Sequence, residues 1–147
     1  MAAVKFVPNV GKQYFMAQIM EASKVKVDGQ ATIHLFTTNV AIARTNVLTT
    51  YSASEASYGG YASQVMSGFS DGGIDANFYD SWSGPIITFQ ATSSSGLPQT
   101  IYGYYVVASD AATLLWVCYF APVITLSASG DGFTIPPSLS GASIFDN

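Results

Sequence analysis

The stretch Thr113-Leu-Leu-Trp-Val-Cys-Tyr-Phe120 is the most informative part of this sequence of 147 residues. Both of its alternating sets of positions are apolar, so a strand built from it presents apolar side chains on two faces. Such a strand belongs at the centre of a sheet that is covered on each side. Tyr102-Gly-Tyr-Tyr-Val-Val107 has the same character, and Ser109-Asp-Ala-Ala112 between the two predicts a hairpin.

Short segments of the same kind flank this hairpin, and Gly, Ser, Asn and Asp separate them. Besides strands 100–108 and 113–121, the pattern predicts strands at 31–36, 57–66, 74–79, 86–92 and 132–139. In the first of these, Ala31, Ile33 and Leu35 fall on one face, and Thr32, His34 and Phe36 fall on the other. About seven short strands without helical patterns between them predict a mainly β fold, an antiparallel β-sandwich or jelly roll.

The first 29 residues differ from the rest. Apolar residues recur at helical spacing between Val10 and Ala22, and Asn9 is a suitable N-cap. We therefore expect an N-terminal arm with an amphipathic helix over residues 1–29 and a β-sandwich domain over 30–147. A lone helix of about 12 residues is marginal in water, so it needs a surface, either its own sheet or a neighbouring subunit. Deletion of residues 1–28 is expected to weaken assembly and to leave the sandwich folded.

Charge is scarce and unevenly distributed along the chain. Charged residues make up 10% of the sequence, against about 25% in a typical domain, and hydrophobic residues make up 49%. All five basic residues lie within the first 44 positions, and seven of the nine acidic residues follow them. The absence of a basic cluster in the aromatic-rich part argues against nucleic-acid binding. So little charge predicts that much of the surface faces other protein.

No catalytic signature is present, and we predict neither a cofactor nor an enzymatic activity. Cys118 is the only cysteine, which excludes an internal disulfide, and we interpret it as a small core residue. His34, the only histidine, would need a nucleophile and an orienting carboxylate nearby to act as a base. The sequence shows no such group, so a packed or surface role is the simpler interpretation. The N-terminus does not resemble a signal peptide, and the most apolar window, 114–126, is too short to span a bilayer.

Three weaker patterns leave alternatives open. The turn 71–75 with Asp80 supplies three carboxylates, which could contribute to a calcium site or, with Glu55, to a glycosidase-like pair. Trp82 lies in the polar segment 80–85, where it could close the end of the sandwich or stack on a sugar or a host receptor. Tyrosines 51, 58 and 61 suit either a contact surface or a core.

Five short segments, in order, resemble small proteins encoded among the structural genes of tailed bacteriophages. They are Val7-Pro-Asn-Val-Gly11, Ile33-His-Leu-Phe-Thr-Thr-Asn39, Tyr58-Gly-Gly-Tyr-Ala62, Ile101-Tyr-Gly-Tyr-Tyr-Val-Val107 and Leu114-Leu-Trp-Val-Cys-Tyr-Phe120. The resemblance implies a virion component with a β-sandwich body, of the capsid decoration (cement) or fibre type.

The expected function is therefore that of a capsid decoration protein, made in the host cytoplasm and incorporated into the virion. It would assemble with itself, as a homotrimer, and with the major capsid protein, without nucleic acid or membrane. Expected interaction residues are the apolar helix face, the nearby lysines and one tryptophan: Phe15, Met16, Ile19, Met20, Lys12, Lys24, Lys26 and Trp82. The alternative is a tail or head fibre or spike domain that binds a host-surface glycan or receptor through Trp82 and nearby tyrosines.

Overall fold

The computed structural model describes residues 2–11, 31–66, 70–74, 80–108, 110–136 and 138–140. Within these ranges the chain forms ten strands and one short helix, and residues 9–11 are also helical. They are β1 (Ala2–Phe6), β2 (Ala31–Phe36), α1 (Leu48–Ser52), β3 (Gln64–Met66), β4 (Ser70–Ile74), β5 (Asp80–Ser83), β6 (Ile87–Gln90), β7 (Gln99–Val107), β8 (Leu114–Leu126), β9 (Gly132–Ile135) and β10 (Ser138–Ser140). Every strand pairing among them is antiparallel, which confirms the prediction of a mainly β, antiparallel fold.

The largest sheet has five strands in the order β1-β8-β7-β2-β3. Its centre is the predicted hairpin of β7 and β8, whose connection is closed by a 2.9 Å hydrogen bond from the Ala108 N–H to the Thr113 carbonyl. Asp110 supports the turn, because its carboxylate accepts the backbone N–H groups of Ala112 and Thr113. The other strands form a three-stranded sheet, β10-β5-β4, and a two-stranded ribbon, β6-β9.

Apolar side chains cover both faces of the five-stranded sheet, as the sequence of β8 predicts. On the first face Trp116, Cys118 and Phe120 belong to a cluster that includes residues of the β6–β9 ribbon, and the Phe120 and Phe133 ring centroids lie 5.7 Å apart. On the second face Val117 belongs to a separate cluster with the helix residue Tyr51. Ribbon and helix thus lie on opposite sides of the sheet, and Cys118 is a buried core residue, as predicted.

The beginning of the chain belongs to this sheet. β1, inside the range predicted as an arm, pairs with β8 from Ala2 opposite Ala121 to Phe6 opposite Val117. Phe6 and Val7 are buried, and residues 9–11 adopt helical geometry. The rest of the predicted helix lies outside the described residues, so the division at residue 29 stays a prediction, although β1 shares a sheet with the later strands.

Some predicted strands differ from those observed. The prediction of a strand over 57–63 is wrong, because this segment contains a turn. The Tyr61 N–H donates to the Tyr58 carbonyl at 2.9 Å, and Gly60 has a φ of +90°, whereas an extended strand has a negative φ. Only Gln64–Met66 of that segment is a strand. In the predicted strand 74–79, Ile74 ends β4 and the remaining positions lie outside the described residues.

β8 continues five residues beyond its predicted end, through Pro122 to Leu126. Its register with β7 jumps in this region, because Gly103 lies opposite Tyr119 whereas Ile101 lies opposite Ile124. A proline lacks the N–H that a regular ladder requires, and the interrupted pairing accommodates it. The predicted strand 132–139 is likewise divided, with β9 ending before Pro136.

Candidate functional site

A polar cluster at the edge of β2 is the most elaborate side-chain arrangement in the described residues. β3 pairs only with residues 31–33 of β2, which leaves the second half of that strand edge available. Residues 54–56, just after α1, occupy it: the Thr37 N–H donates to the Ser54 carbonyl at 2.8 Å, and the Ala56 N–H donates to the Leu35 carbonyl at 3.0 Å. This backbone pairing fixes Glu55 beside β2.

The Glu55 carboxylate is held by three side chains. Its Oε1 lies 2.7 Å from His34 Nδ1 and accepts the Tyr61 hydroxyl at 2.8 Å. Its Oε2 accepts the Tyr105 hydroxyl at 3.2 Å. The Tyr61 oxygen in turn accepts the Leu35 backbone N–H at 3.0 Å. Both carboxylate oxygens are therefore occupied, and the loop is tied to the sheet through side chains as well as backbone.

The His34 ring is fixed from three directions. It stacks on the Tyr105 ring, with centroids 4.9 Å apart and planes inclined by 14°. Its Nδ1 faces Glu55, and its Nε2 lies 2.9 Å from Thr32 Oγ1. A carboxylate next to Nδ1 favours the tautomer with the proton on that nitrogen, so Nε2 of the neutral ring accepts the Thr32 hydroxyl. We call Thr32, His34, Glu55, Tyr61 and Tyr105 the His34 cluster.

Electrostatics keep Glu55 ionised. Partial burial alone would raise the pKa of Glu55, but hydrogen bonds from His34, Tyr61 and Tyr105, together with the charge of a protonated His34, lower it below the ordinary value of 4.5. Burial, with the neighbouring Glu55 carboxylate, raises the pKa of Tyr61 and Tyr105, so both phenols remain hydrogen-bond donors.

We expect the cluster to make folding stability sensitive to acid. The pKa of Glu55 is lower in the folded than in the unfolded chain, so its contribution is complete above the unfolded value, near 4.5, and disappears as the pH falls through the folded pKa. Unfolding curves in urea between about pH 6 and pH 2 measure this loss.

Glu55→Gln is the matched control for the acid dependence, because it keeps the size and removes the charge. Its stability should fall less steeply with acidification than that of the unaltered protein. Part of the dependence should persist, since hydrogen bonds also lower the pKa of Asp110 and Asp131. Identical pH profiles for the two proteins would contradict a stabilising carboxylate at position 55.

None of the expected interaction residues is among the described side chains that form this cluster. Lys12, Phe15, Met16, Ile19, Met20, Lys24 and Lys26 lie outside the described residues. Trp82 lies in β5, opposite Asp71 of β4 and Leu139 of β10, and only its backbone pairing is described. The glycan-contact interpretation of Trp82 therefore stays a prediction.

The remaining alternatives are resolved in part. Tyr51 and Tyr58 are buried in the two apolar clusters and Tyr61 packs against the first, so core packing is correct for these tyrosines. Of the acidic turn, Asp75 lies outside the described residues. In the part of the chain that the structure describes, no group of three or more His, Cys, Asp or Glu residues is arranged to hold a metal ion.

Sequence reasoning missed the His34 cluster for a definable reason. Thr32 and His34 are two residues apart in a strand, and their common face is visible in the sequence. Glu55 lies 21 residues further on, beyond a helix, and nothing local predicts that residues 54–56 return to β2. The one signal in the sequence was that Glu55 is the only acidic residue between Asp28 and Asp71.

Comparisons of the chain with protein-family models, curated proteins and solved structures find no match. Across the described ranges, no helix combines the length and the apolar character needed to cross a membrane.

Proposed function

We propose that this protein is a virion structural protein, a capsid decoration protein that assembles with copies of itself on the outer surface of a phage head. One observation carries the proposal: a chain with only 10% charged residues exposes several large aliphatic side chains on its described surface. A surface of this kind is suited to contact with protein.

The carboxylates whose side chains the structure describes are engaged in local contacts. Four charged side chains lie where the structure describes side-chain burial: Arg44, Glu55, Asp110 and Asp131. All three carboxylates bind groups of the same chain, since Glu55 belongs to the His34 cluster and Asp110 supports the β7–β8 turn. Asp131 accepts the Ser127 and Ala128 N–H groups at 2.7 and 2.8 Å. Within the described ranges these three carboxylates therefore organise loops of their own chain.

Several large aliphatic side chains are exposed on this surface. They are Ile42, Val47, Val65, Ile86 and Val123, and Ile86 is the most exposed at 70%. Single exposed apolar residues are ordinary, but here they combine with very few charges that would oppose association. Permanent interfaces between subunits are more apolar than other protein surfaces and bury about 2,000 Å² or more. We infer that exposed aliphatic residues contribute to such contacts, in a homotrimer and against the major capsid protein.

The proposed body is a β-sandwich. The β6–β9 ribbon packs its Ile87, Phe89 and Ile135 into the cluster on the first face of the five-stranded sheet. Two packed antiparallel layers would provide a rigid scaffold, and the proposed role needs no catalytic centre. A decoration protein of this kind would stabilise the capsid through its own stability and the area of its contacts.

Assembly can be tested with the purified full chain and with phage heads that lack it. Native mass spectrometry and sedimentation should give a trimer, and cryo-electron microscopy of mixed particles should give regular density over the whole head. A protein that stays monomeric at micromolar concentration and leaves the heads bare would contradict the proposal. Tight binding to host polysaccharide, with only a few copies per particle, would favour the fibre or spike function instead.

A lysine scan tests the role of the exposed aliphatic residues. Lysine at each of the five positions in turn should leave the fold intact, and at least one should weaken trimer or capsid binding roughly tenfold, because a charge would be buried at the interface. Ser94→Lys is the control, since Ser94 is exposed in a loop and is distant in sequence from all five positions. If all five variants assemble as the control does, these side chains are not part of an interface.

A further inference from the structure

We propose that Thr32 is a covalent acceptor site for acyl groups, activated by His34 and Glu55, and that its donors are esters with good leaving groups. The inference goes beyond the structural role proposed above and does not depend on it. It concerns a modification of the protein itself and requires no turnover.

The proposal rests on the order of three polar groups. The Thr32 hydroxyl oxygen lies 2.9 Å from His34 Nε2, and His34 Nδ1 lies 2.7 Å from the Glu55 carboxylate. A hydroxyl next to an imidazole that is in turn oriented by a carboxylate is the arrangement that activates oxygen nucleophiles in proteins. His34 is the only histidine of the chain, and within the described residues the hydroxyl hydrogen-bonded to its ring is that of Thr32.

The imidazole is held in the orientation that the reaction needs. Stacking on Tyr105 fixes the ring plane, and the carboxylate is itself fixed by two phenols. Because Nδ1–H donates to Glu55, the lone pair of Nε2 is directed at Thr32. The carboxylate also stabilises the positive charge that forms when His34 accepts a proton. If His34 only connected β2 to the loop at residues 54–56, its hydrogen bond to Glu55 would be sufficient, and the contact with Thr32 would not be needed.

Thr32 is accessible from the β3 side of the sheet. It is partly exposed, and the side-chain exposures of His34 and Glu55 are 19% and 33%. Its cross-strand neighbours are Val107 on β7 and Val65 on β3. Directly opposed residues share a face, and Val65 is 57% exposed. A small ester can therefore approach the hydroxyl with its acyl group against an apolar side chain.

The proposed step is an ordinary acyl transfer. Thr32 Oγ1 forms a bond to the carbonyl carbon of the ester while its proton passes to His34 Nε2. The tetrahedral intermediate expels the alcohol or phenol oxygen, and this leaving group takes the proton from Nε2. The products are O-acyl-threonine and the free alcohol or phenol, and His34 returns to its neutral form.

The test uses the full chain and 4-nitrophenyl acetate as the acyl donor. Peptide mapping by mass spectrometry should locate one acetyl group on Thr32, and hydroxylamine should remove it, because hydroxylamine cleaves esters and leaves acetylated lysines intact. Thr113 is an internal control: its hydroxyl donates to the Asp110 carboxylate at 2.6 Å, without an imidazole, and should stay unmodified.

Three variants separate activation from a structural role. Thr32→Val keeps the β-branched shape and should abolish acetylation at this position. His34→Gln should slow acetylation of Thr32 about 100-fold or more, the usual contribution of a general base. Thr32→Ser keeps the hydroxyl with less crowding and should react at least as fast. Circular dichroism checks that each variant is folded.

Two results would overturn the proposal. One is a folded protein in which neither Thr32 nor serine at the same position is acetylated. The other is acetylation of Thr32 at the same rate in the His34→Gln variant, which would make it ordinary surface chemistry. Neither result would bear on assembly, so failure here is distinguishable from failure of the proposed function.

Discussion

Gly103→Ala is expected to lower the free energy of unfolding by about 3 kcal/mol or more. This value lies at the upper end of the usual cost of overpacking a core. Gly103 lies in β7 between Phe36 of β2 and Tyr119 of β8. The rings of these two neighbours meet across it, with centroids 5.2 Å apart. An added methyl group would lie 2.8 Å from Phe36 Cζ and would also collide with the Cys118 carbonyl oxygen. Since that oxygen belongs to the backbone of the adjacent strand, no side-chain rotation relieves the contact.

Urea-induced unfolding of the two proteins measures this loss, and Gly130→Ala is the matched control. Gly130 has a φ of +99°, and no atom lies within 4 Å of the position its Cβ would take. The same change there carries only the strain of a left-handed backbone, about 1–2 kcal/mol. If Gly103→Ala were no more damaging than Gly130→Ala, the close packing of β7 against β2 and β8 would be incorrect.

Deletion of residues 1–11 is expected to unfold the protein or to leave an aggregating species. The deletion removes β1 from the five-stranded sheet and exposes the backbone edge of β8 from Val117 to Ala121. It also removes the buried side chains of Phe6 and Val7, each worth about 1.5–3 kcal/mol. An uncovered edge of a central strand favours pairing between chains. This expectation differs from the one based on sequence alone, in which the β domain folds without residues 1–28, because β1 is part of the main sheet.

Circular dichroism and size-exclusion chromatography of the truncated chain measure the outcome. Two further variants connect it to packing: Val7→Ala, at a residue that is 1% exposed, and Val65→Ala, at one that is 57% exposed. The chemical change is identical at the two positions, so a difference in its effect reflects burial. We expect the free energy of unfolding to fall by about 1–3 kcal/mol for Val7→Ala and by less than about 0.5 kcal/mol for Val65→Ala. A truncated chain as stable as the full one would show that β1 is dispensable.

The hydrogen-bonding side chains of the second face divide into two groups. Tyr51 and Tyr119 share a 2.8 Å hydrogen bond between their hydroxyls, which Asn46 extends by donating to the Tyr51 oxygen. This pair closes the aromatic cluster around Phe36. The His34 cluster, by contrast, contains an ionised carboxylate and an imidazole, and it is partly exposed. Of these two groups, the His34 cluster contains the base that can accept a proton from a hydroxyl.

The local order of the chain was predictable because it depends on alternation and turn residues. Ala31, Ile33 and Leu35 share a face as their spacing requires, and the apolar run of β8 lies inside a sheet covered on both sides. The segment 57–63 was mispredicted because its tyrosines suit a strand by composition, whereas Gly59 and Gly60 form a turn. Burial of Tyr58 inside that turn came from packing against other segments, which single-sequence patterns do not encode.

By itself the sequence determined the antiparallel β class, the central hairpin and the shortage of charge, since each depends on residues adjacent in the chain or on their totals. Only the tertiary structure decided that residues 2–6 complete the main sheet and that Glu55 meets His34. Both results depend on which distant segment occupies a free strand edge. Backbone hydrogen bonding is the same for every residue except proline, so side-chain sequence specifies such a pairing only through the packing of the whole molecule.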